Sequence, residues 1–364
     1  MAAGSRYPRL IIDLAKLRAN AERVNRMCLD AGVELAGVIK GCTGLVECAR
    51  QFERAGCAFI ASSRLEQLEP LKDEGIQTPL MMIRIPMISE ASDVVRIADI
   101  SLNSELETLR ALNIQAGAQD RRHQVILMAD LGDLREGFWD REELVKAALT
   151  VENSLYNLEL AGVGTNLGCY GAVAATPEKL SELAGLAEFI EDKIGRELRF
   201  VSGGATSSLP RILDGNIPAR INLLRVGEGI LLAKDLQELW GYDMSFMHRD
   251  VFTLRAEVVE VKKKPTHPVG EIMFDAFGNR PQYEDRGERL RAIVALGKVD
   301  YAFTDAIIPR ERGIKVLGAS SDHTILDVED MEEPPEVGDV VEFDLTYASM
   351  VYVTSSPGIE KVYI

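Results

Sequence analysis

Glu34-Leu-Ala-Gly-Val-Ile-Lys-Gly-Cys-Thr-Gly44 begins with an apolar run, Leu35 to Ile39, of the length expected of a buried strand. The run ends in a single lysine, and Gly41 and Gly44 then open the chain into a loop. A lysine at that point lies at the rim of a sheet and is half desolvated. Desolvation lowers an amine's pKa and exposes its lone pair. Such a lysine can form a Schiff base with an aldehyde. The bland alternative is a strand-end lysine that reaches into water, and the other strand ends must decide between the two.

Outward from this stretch, Arg9–Leu14 reads as a short strand ending at Asp13. Residues 15–31 have helical spacing, with Leu17, Val24, Met27 and Cys28 on one face and Gly32 as the stop. Strands and amphipathic helices then alternate to about residue 240. The further strands are Ala58–Ser62, Leu80–Arg84, Ile100–Asn103, Gln124–Asp130, Leu158–Thr165, Leu198–Ser202 and Ile221–Val226. Ser63–Lys72, Glu105–Leu112, Asp140–Thr150 and Pro177–Ile194 are helices between them. With Leu35–Lys40 the strands number eight, the arithmetic of an α/β fold of the (β/α)₈ TIM-barrel type. A doubly wound open sheet is the competitor, but its Gly-x-Gly-x-x-Gly opening is missing.

The texture changes after about residue 245. Val251–Val261 alternates as a strand does, and Arg291–Ala295, Ile314–Leu317, Val340–Asp344 and Met350–Val353 are further strand-like runs. Prolines at 265, 268, 309, 334 and 335 mark turns, and Glu329–Glu336 is an acidic surface loop. The expected division is therefore a barrel over 1–240 and a mostly β domain over 241–364.

The 364 residues carry a net charge of −16, which argues against nucleic acid or an anionic membrane as partner. No apolar run approaches the roughly 18 residues of a membrane span. The opening Met-Ala-Ala-Gly-Ser-Arg-Tyr-Pro has no apolar core of a signal peptide. Cys28, Cys42, Cys48, Cys57 and Cys169 are scattered without Cys-x-x-Cys spacing, as for reduced thiols in a cytoplasm, and no metal site is expected. Cys42 is the one cysteine near a candidate site and reads as a packing residue.

A barrel places its chemistry at the C-terminal ends of its strands. The fifth expected strand closes into Asp130-Leu-Gly-Asp-Leu-Arg-Glu-Gly137, the sixth into Gly164-Thr-Asn-Leu-Gly-Cys-Tyr-Gly171. The seventh gives Ser202-Gly-Gly-Ala-Thr-Ser-Ser208 and the eighth Arg225-Val-Gly-Glu-Gly229. Small residues, hydroxyls and free backbone N–H groups after strands seven and eight suit a phosphate.

Lys40, Arg135 in Gly-x-x-Arg-x-Gly, Asn166, the Ser/Thr-rich loop and Arg225-x-Gly, in that order, resemble the alanine-racemase-like, fold-type III enzymes that use pyridoxal 5'-phosphate (PLP). Tyr7-Pro-Arg-Leu-Ile-Ile-Asp, Gly164-Thr-Asn, Ser202-Gly-Gly and Asp275-Ala-Phe-Gly278 resemble the ornithine racemase branch. The resemblance implies that Lys40 carries PLP and acts as one acid/base group, that Arg225 faces the pyridine nitrogen, and that Arg135 lies near the phenolic oxygen. Asn166 stands where alanine racemases have a histidine. Thr206 and Ser207, with Gly227 and Glu228 through their N–H groups, match phosphate contacts. Tyr347, in Leu-Thr-Tyr-Ala, matches the family's C-terminal phosphate-binding tyrosine, a core tyrosine being the alternative.

Two departures stand out. Cys42-Thr43-Gly44 follows the lysine where a tyrosine is usual. Val269-Gly-Glu-Ile272 lacks the tyrosine that serves as second base from the partner subunit. Racemisation needs a proton removed on one face and delivered on the other. Candidates for the missing group are Glu271, Asp275, Lys298, Asp322 and His323, histidine having the ordinary pKa nearest neutrality. Glu271 and Asp322 could instead bind a distal ammonium.

The implied function is a cytoplasmic, homodimeric, PLP-dependent racemase of a basic amino acid, ornithine first. Racemases of lysine, alanine or serine are alternatives, as are a decarboxylase of the same fold and a D-amino-acid dehydratase or aldolase. A non-catalytic PLP carrier is the option from another class.

Overall fold

The computed structural model describes residues 6–364. Residues 1–5, on which the absence of a leader was partly read, lie outside it. Two compact units form: Leu14–His248, and Arg249–Ile364 together with the residues up to Asp13.

The first strand, β1 (Arg9–Ile12), stays out of the barrel and pairs within the second unit. The barrel is a closed ring of eight parallel strands. They are β2 (Glu34–Val38), β3 (Phe59–Ser62), β4 (Leu80–Met82), β5 (Ile100–Asn103), β6 (His123–Met128), β7 (Leu158–Gly164), β8 (Phe200–Ser202) and β9 (Leu223–Val226). β2 pairs with β9 to close the ring. Alternate residues point inward, and Ala36, Val38, Phe59, Ala61, Met81, Ile100, Leu102, Ile126, Met128, Ala161, Phe200 and Leu223 fill the interior. Phe59 and Phe200 meet edge to face with ring centroids 5.5 Å apart.

Helix signals in the sequence operate as such. Asp140 caps Arg141–Ser154 by accepting from the Glu142 and Glu143 N–H groups at 2.7 and 3.2 Å. Thr176 caps Pro177–Ile194, which opens on proline and ends at Gly195 in the left-handed region.

The second unit is an eight-stranded sheet. Its strands after β1 are β10 (Phe252–Pro265), β11 (Glu288–Val294), β12 (Ile307–Pro309), β13 (Lys315–Ala319), β14 (Thr324–Asp327), β15 (Val340–Leu345) and β16 (Glu360–Tyr363). The order runs β12-β15-β10-β11-β14-β13, with β1 joined antiparallel to β10 and parallel to β16. Among the described residues no helix is long and apolar enough to cross a membrane.

Three expectations are corrected. The barrel unit ends at His248 and excludes β1, so the division at 240/241 moves at both ends. Met350–Val353 is helical, inside Tyr347–Ser355, because Thr346 and Ser349 form a capping box and the Thr354 hydroxyl bonds back to the Met350 carbonyl at 2.8 Å. Pro265 ends a long strand rather than marking a turn.

Candidate active site

The barrel strands deliver the expected groups to one rim. Lys40 follows β2 at the start of a single 3-10 turn, Lys40–Cys42. That turn is fixed at both sides: the Ile39 N–H donates to the Ala61 carbonyl at 2.9 Å and the Gly44 N–H to the Ile39 carbonyl at 3.2 Å. Gly44 is obligatory, since it has φ +76° and an added Cβ would lie 2.8 Å from the Gln67 carbonyl oxygen. The Lys40 amine is held below the ordinary lysine range. Burial is the main cause, the Arg135 and Arg225 charges add to it, and Cys169 and Glu136 oppose it.

Arg225 rises from β9 inside the barrel and is almost wholly buried. It donates to the Ser202 hydroxyl and, at 2.8 Å, to the Thr165 carbonyl, binding three strand ends together. Burial pushes its guanidinium down to about 10, and it still carries its charge at neutral pH.

The loop after β6 is a closed ring. Phe138 returns to bond the Met128 carbonyl at 2.8 Å, and the Asp130 carboxylate accepts the Gly132 and Leu134 N–H groups at 2.8 and 3.1 Å. Gly137, at φ +131°, lets the chain pass within a Cβ's reach of the Asp130 backbone. Arg135 stands on this loop, paired with Glu136 and donating to the Cys169 sulfur at 2.8 Å. Asp133 is buried below it and ties the loop to the one after β7, accepting the N–H groups of Cys169, Tyr170 and Val173 at 3.2, 3.0 and 3.3 Å. Asn166 lies on that second loop, and its buried side-chain nitrogen has no hydrogen-bond partner.

After β8, Thr206–Ser208 form a 3-10 turn. The Thr206 hydroxyl accepts the Gly229 N–H at 3.1 Å, which joins this loop to the one after β9. Ser207 donates its hydroxyl to the Leu167 carbonyl at 2.6 Å, so only its lone pairs and N–H remain for a ligand. Gly227 precedes the helical turn Glu228–Leu231, whose leading N–H groups have no carbonyl ahead of them.

The Glu228 side chain turns inward and accepts the Lys234 and Asp235 N–H groups at 3.0 and 3.1 Å. Burial, with Asp235 and Glu238 adding to it, raises its carboxyl to about 7. Between the ordinary carboxyl range and that value the folded chain keeps a proton that the unfolded chain has released. Stability therefore falls as pH rises through this window and levels off above it. Denaturant melts at about pH 5 and pH 8 are expected to show a loss of about 2–3 kcal/mol from this group. Glu228→Gln is expected to flatten that difference.

The profile described as "Alanine racemase, N-terminal domain" matches residues 12–235. The chain belongs to the alanine racemase family. Within it, the chain is 42% identical to an ornithine racemase of Acetoanaerobium sticklandii, over 98% of this chain and 99% of that one. It is 37% identical to a lysine racemase of Thermotoga maritima over 98% of both. The fold is that of the alanine racemase of Streptomyces lavendulae, with TM-score 0.77 at 20% identity over 99% of this chain and 98% of that one. The alanine racemase of Bartonella henselae, solved with covalently bound pyridoxal phosphate, superposes with TM-score 0.74 at 16% identity over 99% of this chain and 100% of that one. This member of the alanine racemase family is an amino-acid racemase, hence an isomerase.

Glu271, Asp322, His323 and Tyr347 belong to the second unit. Glu271 is exposed on the irregular stretch between β10 and β11. Asp322 and His323 form the exposed turn between β13 and β14, where Asp322 accepts the Ser321 hydroxyl and the His323 N–H donates to the Ser320 hydroxyl at 3.2 Å. Tyr347, half-buried, begins a helix. Asp275 is taken up by its own turn, accepting the Phe277 and Asn279 N–H groups at 2.9 and 2.8 Å. Lys298 lies 3.9 Å from the centroid of the Phe277 ring.

Cys42 is the packing residue expected of it, buried and bonded to the Ile39 carbonyl at 3.3 Å. The cysteine that sequence reading missed is Cys169, exposed and accepting from Arg135 at 2.8 Å. Asp133 and Glu136 were also missed. Both stand in the stretch that was quoted for Arg135, and nothing in a linear sequence separates an inward carboxylate from a solvated one.

Proposed function

We propose that the protein is a PLP-dependent racemase of a basic amino acid, with ornithine as its principal substrate. The observation that carries the cofactor assignment is the depressed amine of Lys40 on the same rim as the buried charge of Arg225. The unpartnered Asn166 amide at that rim is a polar atom awaiting a ligand, and the residues present fit PLP.

Lys40 would hold the cofactor through its aldehyde, and Arg225 would face its ring nitrogen. Arg135 would lie toward the phenolic oxygen and Asn166 toward the ring. Thr206, Ser207, the N–H groups of Gly227 and Glu228, and Tyr347 would take the phosphate. When bound, PLP withdraws electron density from Cα of an attached amino acid and so acidifies its proton. Arg225, which does not readily give up a proton, leaves the ring nitrogen unprotonated and limits that withdrawal. Lys40 takes or returns the Cα proton on one face.

Asp322, His323 or Glu271 serves the other face from a second copy of the chain, and a carboxylate not so used can hold the distal ammonium. Val269, Met273, Phe274 and Phe277, exposed around Glu271, support a homodimer covering this stretch. The charge of the chain and its free thiols support a cytoplasmic enzyme with neither nucleic acid nor membrane as partner.

Two relatives matched over nearly their whole length, named for ornithine and lysine, support a basic substrate. Incubation with L-ornithine, L-lysine, L-alanine and L-serine, followed by chiral chromatography, is the test. D-ornithine is expected to form fastest, roughly tenfold or more ahead of D-alanine, with no release of CO₂ or ammonia. Fastest turnover of alanine or serine would overturn the substrate.

A further inference from the structure

We propose that Glu136 is a positioning residue for racemisation: its carboxylate fixes the Arg135 fork on the rim that carries Lys40. This rests on the reading of Lys40 as the residue that holds PLP and moves the proton.

The geometry of the pair comes first. Glu136 meets Arg135 through two contacts, Oε2 to Nε and Oε1 to Nη2, in the fork-to-fork arrangement that fixes a guanidinium plane. Neighbouring residues rarely face each other, and here the loop makes them do so. Its ends are pinned by the Ala129–Phe138 bridge, its middle by Asp130, and its return by Gly137, where any side chain would strike the Asp130 backbone. The Glu136 side chain is 15% exposed. A solvated surface pair would leave little trace on its surroundings, but this carboxylate is largely shielded from water and paired through both oxygens.

The electrostatics follow from that placement. The charged and titratable groups that act on Lys40 come from two loops and a strand: Arg135 and Glu136 after β6, Cys169 after β7 and Arg225 within β9. The two guanidiniums work against a protonated amine, and Glu136 is the carboxylate that works for it. The same carboxylate acts on Arg225 and raises Arg135 above the ordinary arginine range. Glu136 thus shares with Cys169 the work of offsetting the guanidiniums at the rim. Its removal would leave Arg135 held by the Cys169 sulfur alone.

The test compares holoenzymes carrying Glu136→Gln and Glu136→Asp with the wild type. Two readouts are followed across the alkaline range: the pH midpoint of the cofactor's visible absorption, and kcat and KM for ornithine. Glu136→Gln is expected to move the midpoint to lower pH and to raise KM roughly tenfold. Glu136→Asp keeps the charge but shortens the fork, so its midpoint stays near the wild type while KM rises.

A Glu136→Gln enzyme with the wild-type midpoint and KM would overturn the proposal. If that variant does not retain cofactor, Glu136→Asp decides: a raised KM at an unmoved midpoint supports the role, and unchanged values for both overturn it. Absorption that survives Lys40→Ala is a separate result and strikes at Lys40 itself.

Discussion

Lys40→Ala is expected to abolish racemisation, by roughly 10⁴-fold or more, and to remove the visible absorption of the holoenzyme while the barrel stays folded. The amine is half-buried on a turn held by backbone hydrogen bonds, so truncating its side chain opens no core cavity. Burial, with the Arg135 and Arg225 charges adding to it, lowers its pKa and so favours the unprotonated form that can attack an aldehyde or accept a proton. Absorbance, chiral chromatography and thermal unfolding on the same sample separate the outcomes. Retained yellow colour at wild-type intensity would remove Lys40 from its role, and lost colour with a collapsed melting curve would point to misfolding.

Gly297→Ala is expected to destabilise the second unit by about 3 kcal/mol or more and to cut racemisation sharply, although Gly297 contributes no side chain. An added Cβ would stand 2.0 Å from the Ser321 carbonyl oxygen, inside any permitted contact. The two N–H groups beyond it, Lys298 and Val299, hold the carbonyls of Ser320 and Ser321 at 3.0 and 3.1 Å. Together they fix the turn that carries Asp322 and His323. Displacing that turn should leave cofactor absorption untouched, because Lys40 and Arg225 belong to the other unit. If the turn supplies the opposite-face group, the enzyme should still exchange the Cα hydrogen of one enantiomer with solvent deuterium while inverting it poorly. Full racemase activity in a correctly folded variant would exclude Asp322 and His323 and leave Glu271.

The barrel was legible because parallel strands buried on both faces are written as short apolar runs, each closed by glycine or a polar residue. All eight appear within a few residues of their expected places, and Pro177–Ile194 appears at its expected bounds. The second unit was harder. Met350–Val353 is too short for its period to separate strand from helix, and the cap that decides, Thr346 with Ser349, precedes it. Thr324–Asp327 is a strand of only four residues, too short for its pattern to stand out from the sequence. The allegiance of β1 could not be read at all, since it depends on partners far along the chain.

Lys40 and Arg225 were readable by position at strand ends. Asp133, Glu136 and Cys169 were not, because their effect arises only when two loops meet at one rim. Arg135-Glu136 in particular looks like any pair of surface charges until the ring of backbone around it turns both inward.

The placement of β1 has a bearing on synthesis. Ile12 pairs with Phe252, 240 positions later, and the other partner, β16, is the last strand of all. On the ribosome the barrel segment is translated whole before Arg9–Ile12 meets either neighbour. For that interval the nascent chain carries a short unpaired edge, one arginine followed by three apolar residues, that must remain available without sticking to another copy. A peptide fused or trimmed at the front of the gene would therefore disturb the last-made sheet and spare the first-made barrel.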